Sequence, residues 1–309
     1  MSKLEISFAW SDSRLKTFRE CKYKYYLQYF LAWEGWLVSA PEDKRKAYML
    51  KNLTNMPMFI GSTVHDVIEQ IIKKGRATGD WGNQESAKEA VLAALRRGWK
   101  QSVDKEWENK VKGVVNLAEH YYNEKIDKEK LAGQKQKALD CIDAFYACSL
   151  FPVLSGLKPE DWLSLEEFQK FQLSGGEEVT VKIDCGFRHN GEVTLCDWKT
   201  GKINDDVIEQ LVTYAMYAIK QKWTDSCQNI SIVPVYLAQF ATTGEKAIPR
   251  LKVTMPMIKK QAGIIVSEYP LLKQAHDNRD NPEFFPKTDN DRVCARCTFR
   301  GLCLGEKSP

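Results

Sequence analysis

Two aspartates and a lysine flank a single turn. The stretch runs Val181-Lys182-Ile183-Asp184, then Asn190-Gly191, then Cys196-Asp197-Trp198-Lys199. Asn-Gly is a strong signal for a two-residue hairpin turn. With Asn190 and Gly191 at its centre, His189 pairs with Glu192 and Asp184 faces Asp197. Ladder alternation makes 184/197 a pair without mutual hydrogen bonds, its Cα atoms about 4.5 Å apart. Lys199 lies two residues on and points to the same face. Facing carboxylates repel, and a divalent cation between them removes that penalty. Mg²⁺ or Mn²⁺ suits the arrangement, taking one or two carboxylates and filling its shell with water and phosphate oxygens. A neighbouring lysine can orient a water and offset charge on a phosphoryl group. Asp…Asp-x-Lys therefore has the parts that phosphodiester hydrolysis needs. The competing reading is a surface hairpin with scattered charge. Asp-x-Lys alone favours that reading, and the aligned Asp184 shifts the balance. Perfect register would also set Lys182 opposite Lys199, which calls for a bulge near Gly186 or for strand twist.

The elements that must position these groups read as an α/β fold with a mixed central sheet flanked by helices. Strands are predicted over 162–173, 177–189, 192–199 and 229–238, with another near 249–254. Helices are predicted over Ser11–Phe30, with Ser11 or Ser13 as N-cap, from Ser62, over 205–222, and over about 257–276. Residues 84–148 read as helical, with breaks at Gly98, Gly113 and Gly133. Residues 39–58, with Pro41, a charge run and Pro57, read as a loop or mobile segment. Four parts follow: an N-terminal segment over 1–60, a helical region over 61–160, a core over 161–255, and a C-terminal helix with a cysteine segment over 256–309.

Several flanking residues could join the chemistry. His65 sits at the edge of an apolar helical stripe and is either a metal ligand or a structural histidine. Gln210 and Tyr214, four apart on one helix, share a face and could contact phosphate or a base. One of Glu166 and Glu167 must point to the Asp184 face. Arg14, Arg19, Lys22 and Lys24 lie in a basic, aromatic segment suited to backbone contact and base stacking. Cys294, Cys297 and Cys303 fall within ten residues, and a four-thiolate site needs one more. Cys21 is the best candidate. Cys185 and Cys196 point away from the Asp184/Asp197 face and read as small buried hydrophobes. Spacing alone admits either zinc or an iron–sulfur cluster.

Composition narrows the setting. The chain has 309 residues, 43% hydrophobic, with a formal net charge of +4. That mild basicity permits nucleic-acid binding without arguing for it. No apolar run reaches the roughly 18 residues that span a bilayer, and Met1–Trp10 lacks a signal-peptide pattern. A cytoplasmic protein without a membrane partner is expected. Nine cysteines do not read as a disulfide framework in a chain of this length.

Taken in order, these pieces resemble a known family. Cys21 within Ser13-Arg-Leu-Lys-Thr-Phe-Arg-Glu-Cys21, Gly61-Ser-Thr-Val-His65, Ile183-Asp184, Asp197-Trp-Lys199-Thr-Gly201, Gln210-Leu-Val-Thr-Tyr214 and Cys294/Cys297/Cys303 match the RecB-like PD-(D/E)xK nucleases that contain a 4Fe–4S cluster. These include the AddB nuclease domain, exonuclease V and CRISPR-associated RecB-like exonucleases. The resemblance implies that His65, Asp184, Asp197 and the Trp198 backbone carbonyl hold the metal and that Lys199 is the catalytic lysine. It implies that Gln210 and Tyr214 lie near the DNA path. It also implies that Cys21, Cys294, Cys297 and Cys303 ligate a 4Fe–4S cluster joining the N- and C-terminal segments. The implied activity is a metal-dependent DNA exonuclease acting on DNA with single-stranded ends, in recombination, repair, or phage or CRISPR DNA processing. Three features depart from the family. Lys22 stands where a proline usually follows the first cysteine, about 118 residues separate His65 from Asp184, and no phosphate-loop helicase motif is present. A second reading is a DNA-end-binding module that needs recombination or CRISPR partner proteins to cut. A third is a zinc-stapled structural protein.

Overall fold

The computed structural model describes residues 6–110, 112–204 and 206–305. The chain forms two compact units, one of Met1–Met56, Arg96–Ile126 and Ile265–Pro309, the other of Pro57–Leu95 and Asp127–Ile264. The helices are α1 (Asp12–Glu20), α2 (Lys22–Tyr26), α3 (Glu42–Lys51), α4 (Met56–Thr78), α5 (Gln84–Val103), α6 (Ala118–Tyr121), α7 (Lys128–Ala147), α8 (Leu150–Gly156), α9 (Asp206–Lys220), α10 (Leu237–Thr243), α11 (Met255–Asp277), α12 (Asp291–Ala295) and α13 (Arg300–Cys303). The strands are β1 (Trp162–Gln172), β2 (Glu178–His189), β3 (Glu192–Lys199), β4 (Ile230–Tyr236) and β5 (Leu251–Lys252). No single helix among the described residues is long and apolar enough to cross a membrane.

The second unit holds a five-stranded sheet in the order β1-β2-β3-β4-β5. β1, β2 and β3 form an antiparallel meander, β3 and β4 run parallel, and β5 closes the edge antiparallel. This is the expected mixed sheet. On β2, Val179, Val181, Ile183, Cys185 and Phe187 are all buried, the period-2 pattern of a strand laid on a core. β4 is buried at every position, as a parallel strand covered on both faces must be. α9 makes the crossover between the parallel strands. Its Val207, Leu211, Ala215 and Ala218 are buried, the 3.6-residue stripe of a helix lying on a sheet. Trp198 packs edge-on against Phe145 of α7, their ring centroids 5.4 Å apart.

The hairpin register is the expected one. The β2/β3 ladder runs from His189↔Glu192 to Cys185↔Cys196 and ends there, one step short of the Asp184/Asp197 pair that this register aligns. Asn190 and Gly191 have φ of 51° and 78°, the left-handed pair that this tight turn requires. The irregularity expected near Gly186 lies instead on β1, where the register shifts between Trp162 and Ser164, opposite Phe187 and Gly186.

Four expectations need correction. Residues 12–31 are not one helix: α1 stops at Cys21, which is extended at φ −163°, and α2 restarts with the Cys21 side chain as its cap. Residues 39–58 are not a loop. Pro41 stands at the N-cap of α3, where its missing N–H costs nothing, and Glu42 and Asp43 favour the first turn. α4 starts at Met56 rather than Ser62, because Pro57 falls in the first turn, where proline is tolerated. Gly98 lies inside α5 and Gly133 inside α7; of the three glycines only Gly113, at φ 71°, lies in the break. A single glycine costs a helix interior only about 1 kcal/mol, too little to interrupt helices this long.

The first unit is built around its own aromatic core. Leu27, Leu50, Leu53, Tyr121 and Phe299 form one buried cluster. Thr54 bridges to Leu117, the Tyr122 hydroxyl donates to the Thr298 carbonyl at 2.7 Å, and the Tyr23 N–H donates to the Pro286 carbonyl at 3.2 Å.

Because the Asp184/Asp197 alignment hangs on the turn, Gly191→Val should cost about 1–2 kcal/mol, the penalty for a side chain in the left-handed region. Urea unfolding reads this, and an unchanged midpoint would show that the turn does not hold the register.

Candidate active site

The candidate site is a row of carboxylates across three neighbouring strands. In the β1/β2 ladder Leu165 pairs with Cys185 and Glu167 with Ile183, so Glu166 stands opposite Asp184. Asp197 lies on β3 just past the end of the β2/β3 ladder, on the other side of Asp184, and outside the close group that His65, Glu166 and Asp184 form. Of the two candidate glutamates, Glu166 faces the site; Glu167 is exposed and accepts a hydrogen bond from Gln169. Glu166 holds a left-handed φ of 55°, a strained conformation for a non-glycine residue. Its carboxylate is ion-paired to Lys182, which explains how Lys182 avoids Lys199. The alignment was readable from Gly175-Gly176, the turn about which the β1/β2 pairing is centred; Gly176 has φ 92°.

His65 comes from α4. Its Nδ1 lies 3.7 Å from Oδ2 of Asp184. The ligand atoms of His65, Glu166 and Asp184 all lie within 4.8 Å of one another, the one such group among the described residues. Gly61, one turn earlier, sets the approach of the helix: a Cβ there would stand 2.8 Å from Oγ1 of Thr200, just past Lys199. The glycine of Gly61-Ser-Thr-Val-His65 thus lets α4 come close to the end of β3.

The electrostatics call for positive charge. Asp184 is only 8% exposed and Asp197 only 1%. Burial, then Asp197 and Glu166, push Asp184 well above the ordinary carboxylate range. Burial also pushes Asp197 up, against the pull of Lys199, whose Nζ lies 2.5 Å from Oδ2 of Asp197. Oδ1 of Asp197 has no hydrogen-bond partner among the described residues. Oδ2 of Asp184 accepts the Trp198 backbone N–H at 3.0 Å, which fixes that carboxylate against β3. Burial pushes His65 down, so the imidazole is neutral near pH 7, and the ring is also hydrogen-bonded to the Trp198 backbone. A neutral imidazole, buried carboxylates and an orphaned carboxylate oxygen are a donor set that fits a hard divalent cation.

Other predicted residues lie elsewhere. On α9, Gln210 donates to the Tyr214 hydroxyl at 2.5 Å, and Tyr214 is buried. The guanidinium of Arg14 lies 4.7 Å from the centroid of the Tyr29 ring. Arg19 is ion-paired to Glu268, and Lys24 to Glu20. Lys22 is exposed and lies over the Phe18 ring. Cys21, Cys294, Cys297 and Cys303 line one hollow in the first unit.

Asp184→Asn should raise the stability of the metal-free protein by about 0.5–2 kcal/mol, as relief of active-site repulsion commonly does. It should also remove the thermal shift that Mg²⁺ or Mn²⁺ gives the unaltered chain. Calorimetry with EDTA and with each cation tests both. A variant that is less stable without metal would refute the repulsion argument.

The chain matches the family model of the PD-(D/E)XK nuclease superfamily over residues 9–304, which takes in both units and every residue of the site. No curated protein matches it. The family and the carboxylate–histidine group together point to a metal-dependent nuclease. The chain belongs to the PD-(D/E)XK nuclease superfamily.

Proposed function

We propose that this protein is a metal-dependent DNA exonuclease acting on DNA with single-stranded ends, in recombination, repair, or phage or CRISPR DNA processing. The observation that carries the reading is the row Glu166–Asp184–Asp197 with His65 on one side and Lys199 on the other. Asp184, Asp197, His65 and the Trp198 carbonyl are the proposed ligands, joined by Glu166 through its place in the close group. A divalent cation held there supplies Lewis acidity and charge neutralisation at the scissile phosphate. The chain's own groups do the rest. The carboxylates exclude a second anion until the site is charged-balanced. The Lys199 ammonium, now against Asp197, is placed to orient a water and stabilise charge on the phosphoryl oxygens. Gln210 and Tyr214 act as one hydrogen-bonded pair on the DNA path.

The four cysteines are proposed to hold a 4Fe–4S cluster. All four line the same hollow, which supports a four-thiolate site of either kind; the choice of iron over zinc rests on the family resemblance. The surroundings suit anionic sulfur: the Lys24 backbone N–H donates to Sγ of Cys21 at 3.4 Å, and Lys24 and Lys287 draw down the thiols of Cys297 and Cys303 against the upward push of burial.

The activity is tested with DNA labelled separately at its 5′ and 3′ ends. Mg²⁺- or Mn²⁺-dependent release of nucleotides is expected, with Lys199→Ala lowering the rate about 10²–10³-fold. Undiminished cleavage by that variant rejects the mechanism. Tight DNA binding without cleavage under either cation selects the partner-dependent reading. Protein purified without air should be brown and carry about four irons per chain, and Cys294→Ser should lose them; a colourless zinc protein refutes the cluster.

A further inference from the structure

The first unit contains a cavity of about 530 Å³ that the nuclease site does not use. That lies within the roughly 300–1,000 Å³ typical of sites for compact ligands. Its walls come from α2, the turn after it, the start of α3 and the end of α11.

One side is aromatic. Tyr26, Phe30 and Trp33 line it, and their positions are fixed from behind. Tyr26 packs on Phe285 at 5.2 Å, and Trp33 meets Trp36 edge-on at 5.3 Å. Gly35 locks the turn that carries Trp33 onto α3. A Cβ there would stand 2.3 Å from the Lys44 carbonyl and 2.5 Å from Cβ of Tyr48, so only glycine permits this approach.

The other side is charged. Lys44 and Arg279 line the cavity and are half-buried, and the Arg279 guanidinium donates to the His276 carbonyl at 3.1 Å. Glu34 and Asp280 line the cavity as well and supply carboxylate acceptors beside the two cations. His276 forms part of the wall, buried between the rings of Phe8 and Phe30, with Nδ1 lacking a hydrogen-bond partner among the described residues. Burial, then Arg279 and Arg14, push its pKa down, so it offers the cavity a hydrogen-bonding ring rather than a charge.

Flat rings suit a planar group, and Lys44 and Arg279 offer donors to an anionic oxygen while Glu34 and Asp280 offer acceptors. A nucleotide joins both in one unit: the base stacks on an aromatic face and the phosphate meets the lysine and arginine. A carboxylate can accept from the exocyclic amino group of cytosine, which gives Asp280 a role. We propose that this cavity binds one unpaired nucleotide of a DNA strand, its base against Tyr26 and Trp33 and its phosphate against Lys44 and Arg279. The proposal rests on the nuclease reading only for the choice of DNA as the polymer.

The test uses the whole protein in EDTA, so that cleavage plays no part. Fluorescence anisotropy follows a labelled short oligodeoxycytidine. Lys44→Gln with Arg279→Gln, and separately Trp33→Leu, should each weaken binding about tenfold, the scale of one lost stacking contact. The double variant should also flatten the salt dependence by about one phosphate's worth of counterion release. Circular dichroism and thermal midpoints confirm that the variants are folded. Oligonucleotides carrying 5-iododeoxyuridine should photocrosslink to Tyr26 or Trp33. Unchanged affinity in all variants, or crosslinks confined to other residues, overturns the proposal. Free dCMP competing as strongly as the oligonucleotide overturns the assignment to a strand. Metal-dependent cleavage together with unaltered binding would remove the cavity and leave the nuclease reading intact; variant-sensitive binding with no cleavage under any cation would do the reverse.

Discussion

The carboxylate row is the constraint around which the second unit is arranged. Glu166, Asp184 and Asp197 face one another across β1, β2 and β3, and the two aspartates are almost wholly buried. Like charges at this spacing and depth oppose folding. Several local features make sense only as ways of holding them there. The Trp198 N–H ties Asp184 to β3. Lys199 and Lys182 each take one of the outer carboxylates. Glu166 keeps a backbone angle that an ordinary strand residue avoids. Strain and repulsion concentrated at one place, and supported by unstrained structure around it, are what a preorganised cation site requires.

Parts of this arrangement were legible in the sequence because they are local. Asn190-Gly191 fixes the turn, the turn fixes the register, and the register fixes which carboxylates meet. His65 could be placed on a helix, but its distance to Asp184 depends on tertiary packing, and the reason for Gly61 appears only when Thr200 is seen beneath it. Glu166 and Glu167 were indistinguishable without the β1/β2 register, although Gly175-Gly176 carried that information. The misread elements share a physical origin. Proline at a helix start looks like a breaker until the cap is visible, as at Pro41. A single glycine looks like a stop until the length of helix around it outweighs its cost, as at Gly98 and Gly133. Cys21 ends one helix and caps the next through its sulfur, a role that helix propensity does not encode.

The cysteine hollow poses a different problem from the carboxylate row. There the charges are fixed by strands, whereas here three cysteines lie on short helices and turns near one end of the chain and the fourth near the other. Protein contacts drawing these segments together include a backbone hydrogen bond from Tyr23, the ring of Tyr23 beneath Lys287, and the packing of Leu27 on Phe299 and of Tyr26 and Phe30 on Phe285. Short helices are weakly stable alone. A group that bonds all four sulfurs would join those short helices covalently, beside the apolar packing of Leu27 and Phe299.

The two sets of proposed site residues also divide cleanly along the chain. His65, Glu166, Asp184, Asp197 and Lys199 all belong to the second unit, and the four cysteines all belong to the first. No residue serves both. The proposed hydrolytic geometry therefore draws on one sheet and one helix and on no residue of the cysteine-bearing segments. The first unit, relieved of chemistry, retains the aromatic and cationic side chains that suit contact with a polymer. Trp33, Tyr26, Lys44 and Arg279 are drawn from segments separated by more than two hundred residues of sequence, and a single glycine, Gly35, sets the spacing between two of the walls they form. That convergence sets flat rings beside charged groups of both signs on one cavity wall, the mixture of stacking surface, donors and acceptors that a base and its phosphate would engage together.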